Sequence, residues 1–332
     1  MSVEELVKRL NKKSKLKVTV LSDESSPCII HEIMPTGCLA LDSILGGGLP
    51  VGRITEVYGD ESTGKSLIAA QVAAIAQDEG HIVLYIDTES AVSIDIVKEV
   101  GVDINNLIYT VPDTLDGDEG VFQLMENTIE DMKVVFPNKL LLIIWDTIAA
   151  TSSIREMEGE YGKAMMGQHA QLISQGLRRI SSKISKERVC ALFVNQTRVK
   201  LGVMFGDNVA TFGGKAVAFY SSVRIELTGG KKIKRGKKIV GIENTARIVK
   251  NKVFIPFGVA VLPIYFGHGI DDALASFEFL KEAGYFKQSG AWYEFEGSKF
   301  QRSGWSKVFD EKYDRIENII LGVKEVEDAV TT

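Results

Sequence analysis

The sequence predicts an α/β fold, a mostly parallel twisted sheet flanked by helices and followed by a small α+β region. Three observations predict it. Residues 59–66, Gly-Asp-Glu-Ser-Thr-Gly-Lys-Ser, match the phosphate-loop pattern G-x-x-x-x-G-K-[ST], between an apolar strand and a helix-forming run, Leu67 to Gln77. The stretches IVLYID, LLLIIWD and CALFVN are apolar throughout rather than alternating, as strands covered on both faces are. Each ends in polar residues: Asp87-Thr88-Glu89, Asp146-Thr147 and Asn195-Gln196. In such sheets ligands gather beyond the strands' carboxyl ends, so these ends are expected to converge on the phosphate loop.

Helices and strands alternate in the order this fold requires. The expected elements are strand 53–58, helix 65–79, strand 82–87, helix 92–100, strand 107–110, helix 118–134, strand 140–146, helix 166–186 and strand 189–195. Ahead of them, residues 2–11 place Val3, Leu6, Val7 and Leu10 on one helical face, and Lys17 to Leu21 has strand character. These pieces are too small for a core of their own; residues 1–35 read either as an oligomerisation arm or as a plain terminal helix. Residues 36–268 form the core. Beyond Gly269 a helix (271–283), a hairpin (290–300) and a last helix (305 to about 323) predict a small separate lobe, 269–332.

Composition narrows the function. The 332 residues are 45% apolar, enough for a full core, and carry a net charge of −5, which argues against a general polyanion binder. Cys28, Cys38 and Cys190 are odd in number, far apart and without a C-x-x-C, and no signal-peptide core stands at the start; a reducing, cytoplasmic setting is expected. The most apolar run, Leu140 to Trp145, is too short to span a bilayer.

The chemistry concentrates at the loop. Gly59, Asp60, Glu61, Ser62, Thr63 and Gly64 would turn backbone N–H groups toward an anion at a helix N-terminus. Lys65 would reach the β- and γ-phosphates of ATP, and the Ser66 hydroxyl would ligate Mg²⁺. Asp146, after an apolar strand, would hold Mg²⁺ through water, Glu89 would take a proton from the attacking water, and Gln196 would sense the γ-phosphate. Each of these strand-end residues could instead cap the following turn.

Two Gly- and Met-rich stretches, 156–167 and 197–214, lack regular periodicity. Arg198 and Lys200 with Met166, Leu201 and Phe205 suit a groove for single-stranded DNA, positive charge tracking the backbone and apolar side chains wedging at bases; a lid or subunit-contact loop is the alternative. Residues 224–252 hold ten Lys/Arg against two Glu, with a hairpin turn expected at Gly229-Gly230 and Gly236. That tip is either simply solvated or meets phosphates or an acidic neighbour.

With these residues in view, the chain resembles the RecA family of homologous-recombination ATPases over nearly its whole length. The matching stretches are TGCLALDSILGGGLPVGRITEVYGDESTGKS, YIDTESA, GVDINNL, IIWDTIAA, EMEGEYGKAMMG, FVNQTRVKLGVMFG, FGGKAVAFYSSVRIEL, VKNK and AGAWYEFEG. The resemblance implies a RecA-type P-loop NTPase core and a DNA-dependent ATPase that forms a helical homo-oligomeric filament on single-stranded DNA, pairs it with duplex DNA and exchanges strands. It assigns Lys65, Ser66, Glu89, Asp146 and Gln196 the roles above. DNA contact is implied at Met166, Gly167, Arg178, Arg198, Val199, Lys200, Leu201, Gly213 and Gly214. Lys250 and Lys252 are implied to reach the neighbouring subunit's ATP, and Phe219 to relay nucleotide state at that interface.

The sequence also departs from the family. Ser93 and Ile96 stand where the family has an acid and an aromatic near adenine, so tolerance of other bases is expected. The family's acidic tail is reduced to Glu325, Glu327 and Asp328, so easier loading on duplex DNA is expected. Ser66, where Thr is commoner, fits a phage or plasmid relative as well as a host one. A ring-forming helicase and an ATP-gated signalling scaffold are competing functions; VKNK and the two loops favour the recombinase over the first, and Glu89 over the second.

Overall fold

The computed structural model describes residues 2–13, 18–22, 29–118, 120–154, 157, 167–199 and 209–322. The chain opens with α1 (Val3–Lys13), capped reciprocally: the Glu5 N–H donates to Ser2 Oγ and the Ser2 N–H to the Glu5 carboxylate, both at 3.2 Å. No residue of α1 is buried, and Val3, Leu6 and Leu10 face outward. The strand expected over 17–21 is not formed at residues 18–22. There the Val18 backbone is held by both ends of the Asn11 side-chain amide, at 2.7 and 2.8 Å, instead of by a neighbouring strand.

The core begins with β1 (Ile33–Met34), α2 (Leu39–Leu45) and β2 (Leu49–Pro50), then β3 (Ile54–Gly59), α3 (Lys65–Asp78), β4 (Ile82–Asp87), α4 (Ile94–Glu99) and β5 (Leu107–Thr110). It continues through α5 (Val121–Val135), β6 (Leu141–Asp146), α6 (Gln168–Ile184), β7 (Val189–Val199), β8 (Val209–Thr211), α7 (Gly214–Tyr220), β9 (Val223–Arg235), β10 (Lys238–Asn251), β11 (Val259–Tyr265) and β12 (Gly269–Ile270). The main sheet runs β12-β11-β10-β9-β3-β7-β6-β4-β5, with β8 paired to β7. From β9 to β5 the pairs are parallel; β9 to β12 are antiparallel.

Alternate side chains along the parallel strands feed two cores. Leu142, Ile144, Leu192 and Val194 pack with α2 and α3 on one face; Leu141, Ile143, Trp145 and Phe193 pack with α5, α6 and α7 on the other. This two-sided burial is why these strands read as unbroken apolar runs.

A third core belongs to α8 (Asp272–Glu282), β13 (Lys287–Ser289), β14 (Trp292–Phe295), β15 (Ser298–Gln301), α9 (Trp305–Glu311) and α10 (Tyr313–Gly322). Its centre is aromatic: Trp305 lies 5.2 Å from the rings of both Phe286 and Phe300 and 5.8 Å from that of Phe277. Leu39 of α2 completes it and joins it to the main body.

Three expected elements differ. Residues 305–323 are two helices rather than one, because the chain turns at Lys312 to bring Ile316 and Ile320 under the aromatic cluster. The segment 197–214 is partly regular: β7 runs on to Val199 and pairs with β8. Gly229 and Gly230 lie inside β9, and the turn comes only at Gly236 and Lys237. The backbones explain it, since the Gly230 N–H donates to Asn244 at 3.1 Å and a Cβ there would fall 1.6 Å from the Glu243 carbonyl.

Where α2 meets α8, Asp272 accepts the Leu39 N–H at 2.7 Å, and burial pushes its carboxyl up to about 6. A carboxyl that binds its proton more tightly when folded favours the native state below the unfolded pKa and loses that contribution as pH rises through 6. Asp272→Asn keeps the acceptor without the charge. It is expected to stabilise the protein at pH 7.5 by about 2–3 kcal/mol, with the gain gone below about pH 4, in thermal or urea unfolding followed across pH.

Candidate functional site

The carboxyl ends of β3, β4, β6 and β7 surround one cavity of about 700 Å³, lined among others by Lys65, Ser66, Glu89, Asp146 and Gln196. Such a volume suits a nucleotide-sized ligand. The phosphate loop spans β3 and α3. Ser62 (φ 60°) and Gly64 (φ 80°) are left-handed, the backbone alternation that turns successive N–H groups into a concavity. Gly59 is forced by close approach, since a Cβ would lie 2.2 Å from the Leu227 carbonyl on β9. The Lys65 ammonium donates to the carbonyls of Gly59 (3.1 Å) and Asp60 (2.6 Å), folding over its own loop. Burial draws its pKa down, against the pull of Asp146, Glu89, Asp60 and Glu61.

Asp146 is buried at the end of β6. Its carboxylate accepts from the Tyr85 hydroxyl at 2.8 Å, and burial outweighs the influence of the Tyr85 and Ser66 hydroxyls to hold its pKa above the usual range. Glu89 is exposed at the cavity wall. Partial desolvation, then the charges of Asp146 and Asp87, raises its pKa. The Gln196 amide donates to Glu89 at 2.8 Å, and the next residue, Thr197, donates its hydroxyl to Asp60 of the phosphate loop. Asp87 braces this wall, accepting from the Glu89 N–H (3.1 Å), the Val92 N–H (3.0 Å) and the Tyr109 hydroxyl (2.8 Å).

The expected convergence of all three strand ends is corrected at Asn195. Its amide turns away from the cavity, donating to Glu56 at 2.9 Å and to the Phe212 carbonyl at 3.0 Å, because alternation puts Gln196 on the cavity side and Asn195 on the opposite face.

Of the residues expected to meet DNA, Gly167 and Gly213 precede α6 and α7, and Gly214 opens α7. Arg198 is exposed on β7 with its guanidinium 5.4 Å from the Phe212 ring, and Arg178 is exposed on α6, 3.5 Å from the Tyr220 hydroxyl. Val199 ends β7. Met166, Lys200 and Leu201 lie outside the described residues, as do 155–156, 158–166 and 200–208. Lys250 and Lys252 stand apart from this chain's own cavity. Lys250 donates to the carbonyls of Ala218 (2.6 Å), Phe219 (3.1 Å) and Ser221 (2.6 Å) at the end of α7, and Lys252 lies 5.7 Å from the exposed Phe219 ring. Burial, then Lys252 and Arg224, brings the Lys250 pKa down to about 8.

Sequence reasoning missed Tyr85, Asp87's bracing role and Asn244. Buried Asn244 donates to the Thr63 carbonyl at 2.7 Å, tying β10 to the phosphate loop. Its one signal was a polar residue at an inward position of an otherwise apolar strand face. Ser93, Ile96, Val97, Phe266 and Gly267 also line the cavity. The tip of β9–β10 carries Lys231, Lys232, Lys234, Arg235, Lys237 and Lys238, none paired with an acid among the described residues.

A phosphate loop on a parallel sheet, with acids and an amide at the neighbouring strand ends, defines the class of P-loop nucleotide-binding proteins. The family model described as RecA N-terminal domain matches residues 1–271. A protein named RecA from Heliobacterium modesticaldum is 39% identical over 277 residues, 83% of this chain and 78% of that one. RecA of Streptomyces avermitilis is 41% identical over 269 residues (81% and 69%), and that of Geobacter sulfurreducens 37% over 303 (91% and 86%). The chain belongs to the RecA family. Among the described residues no helix is long and apolar enough to cross a membrane.

The close approach at Gly59 gives a direct check. Gly59→Ala is expected to push β3 from β9 and destabilise the protein by about 2–3 kcal/mol, read as a lowered midpoint in denaturant titration.

Proposed function

We propose that the chain is an ATP-dependent DNA recombinase. It assembles as a helical filament on single-stranded DNA, pairs that strand with a homologous duplex and exchanges strands, hydrolysing ATP where subunits meet. Membership of the RecA family supports this, and one observation carries the mechanism. Gln196 touches Glu89 at the cavity, while the adjoining Thr197 touches the phosphate loop and begins the hairpin under the second Gly-rich stretch. A change at the phosphates therefore reaches a candidate DNA-contacting segment within two residues.

In this reading the loop N–H groups from Gly59 to Ser66 cradle the triphosphate, and Lys65 leaves its own carbonyls to meet the β- and γ-phosphates. Ser66 and Asp146 present a hydroxyl and a carboxylate to the same cavity, a hard oxygen pair that suits Mg²⁺. No cluster of three or more His, Cys, Asp or Glu able to hold a metal occurs among the described residues. When bound, Mg²⁺ would offset the charge between β- and γ-phosphates. Glu89 accepts the proton of the attacking water. Gln196 exchanges its bond to Glu89 for one to the γ-phosphate, freeing the carboxylate and moving the start of the hairpin. Gly167, Arg178, Arg198, Val199, Gly213 and Gly214, with Met166, Lys200 and Leu201, then contact DNA. Lys250 and Lys252 serve the adjacent subunit's nucleotide, beside Phe219.

ATP hydrolysis measured with and without single-stranded DNA, followed by strand exchange, tests this; turnover indifferent to DNA would refute it. Glu89→Gln is expected to keep ATP and DNA binding while turnover falls at least ~100-fold. Because Glu89 must be ionised and its pKa is raised, kcat should fall on acidification at a pH above the ordinary carboxylate range. Lys250→Ala should lose DNA-stimulated hydrolysis while the isolated monomer still binds ATP. The wild-type contribution of Lys250 should decline as pH rises through about 8, where the ammonium loses its charge.

A further inference from the structure

Glu56 is fully buried in the middle of β3, yet it touches no part of the nucleotide cavity. Removing a carboxylate from water to such a place is costly unless every lone pair finds a use. Both oxygens are used: one accepts the Asn195 amide at 2.9 Å and the other the Arg224 guanidinium at 2.6 Å.

The register of the sheet makes this cluster part of a row. Glu56 pairs with Arg224 across β3 and β9, and Arg224 pairs with Lys250 across β9 and β10. Asn195 stands two residues beyond Phe193, the partner of Glu56 on β7, and so on the same face. The row Asn195, Glu56, Arg224, Lys250 thus crosses four strands on the face covered by α7. At one end Asn195 accepts the Gln196 N–H at 2.9 Å and donates to Phe212 at 3.0 Å, joining the two ends of the second Gly-rich segment. At the other end Lys250 holds the last carbonyls of α7.

We propose that Glu56 is a positioning residue: by fixing the Asn195 amide it sets where Gln196 stands, and through Arg224 it ties that setting to the Lys250 end of α7. The inference rests on the nucleotide-sensing role proposed for Gln196. It makes the closure of the loop base and the placement of α7 one event, triggered from the cavity.

Two measurements test it. In the wild-type protein, hydrogen exchange is followed with and without a non-hydrolysable ATP analogue. Exchange should change at Gln196–Val199 and also at Gly214–Tyr220; an unaltered helix overturns the proposal. In the second, Glu56→Leu with Arg224→Met removes the anchor without leaving a lone buried charge, whereas Glu56→Gln with Arg224→Gln keeps an acceptor for Asn195. The first pair should lose about tenfold or more in DNA-stimulated hydrolysis, the scale of a small misplacement, with basal hydrolysis and ATP affinity within about threefold of wild type. The second pair should recover most of the stimulation. Wild-type stimulation in the first pair, or equal loss in both, overturns the proposal. Absence of DNA stimulation in the wild type would instead remove the recombinase reading, while the exchange result judges the row by itself.

Discussion

Strand β3 lies between β7 and β9, hydrogen-bonded in parallel to each, and all six of its residues are buried. The rest of the structure follows from that confinement. A strand covered on both faces and both edges cannot present chemistry along its length, so function is exported to its carboxyl end, where the backbone must turn. The phosphate loop is that turn. Its first glycine is fixed by the Leu227 carbonyl of β9, its lysine by the carbonyls of Gly59 and Asp60, and its Thr63 by Asn244 of β10. The loop is therefore held from the sheet behind it as well as from the helix ahead.

Around this turn the acids are graded by environment. Asp146 is buried and bonded by the Tyr85 hydroxyl, which suits a group that stays in place. Glu89 is exposed, tied through its own N–H to Asp87 and through its carboxylate to Gln196. The more exposed acid is thus the one expected to handle a proton, and the buried one the one expected to face a cation. Glu56, a third acid, belongs to neither task and sits one layer below, where the sheet's register rather than the cavity chooses its partners.

What could be read from the sequence was whatever is local. The motif 59–66, the apolar strands and their polar ends are contiguous signals, and the longer helices followed from spacing, with boundaries shifting by up to three residues, whereas the short α2 and α7 were not among the expected elements. The family resemblance singled out Lys250 and Lys252 as candidates, which composition alone would have passed over as an ordinary strand pair. What could not be read depends on register. Tyr85 meets Asp146, Thr197 meets Asp60 and Asn244 meets Thr63 only because strands distant in sequence lie side by side in one alignment. The hairpin shows the limit most plainly: a Gly-Gly pair suggests a turn, but Gly230 is needed for the close passage of β10, and the strands run on past it. The break at Lys312 is similar, since packing beneath Trp305 and not helix propensity sets it.

That longer ribbon has an electrostatic corollary. Beyond the last residue pair with β11, at Gly241 and Tyr265, only two strands remain, and they carry four cations, Lys234, Arg235, Lys237 and Lys238, into solvent on a chain whose net charge is negative. Fields from the acidic body fade over about a Debye length, so the tip behaves as an isolated cationic prong at physiological ionic strength. Any polyanion gripped there is held chiefly by displacing small ions, and its grip will relax steeply as salt is added, whereas the buried grip on the phosphate loop will not.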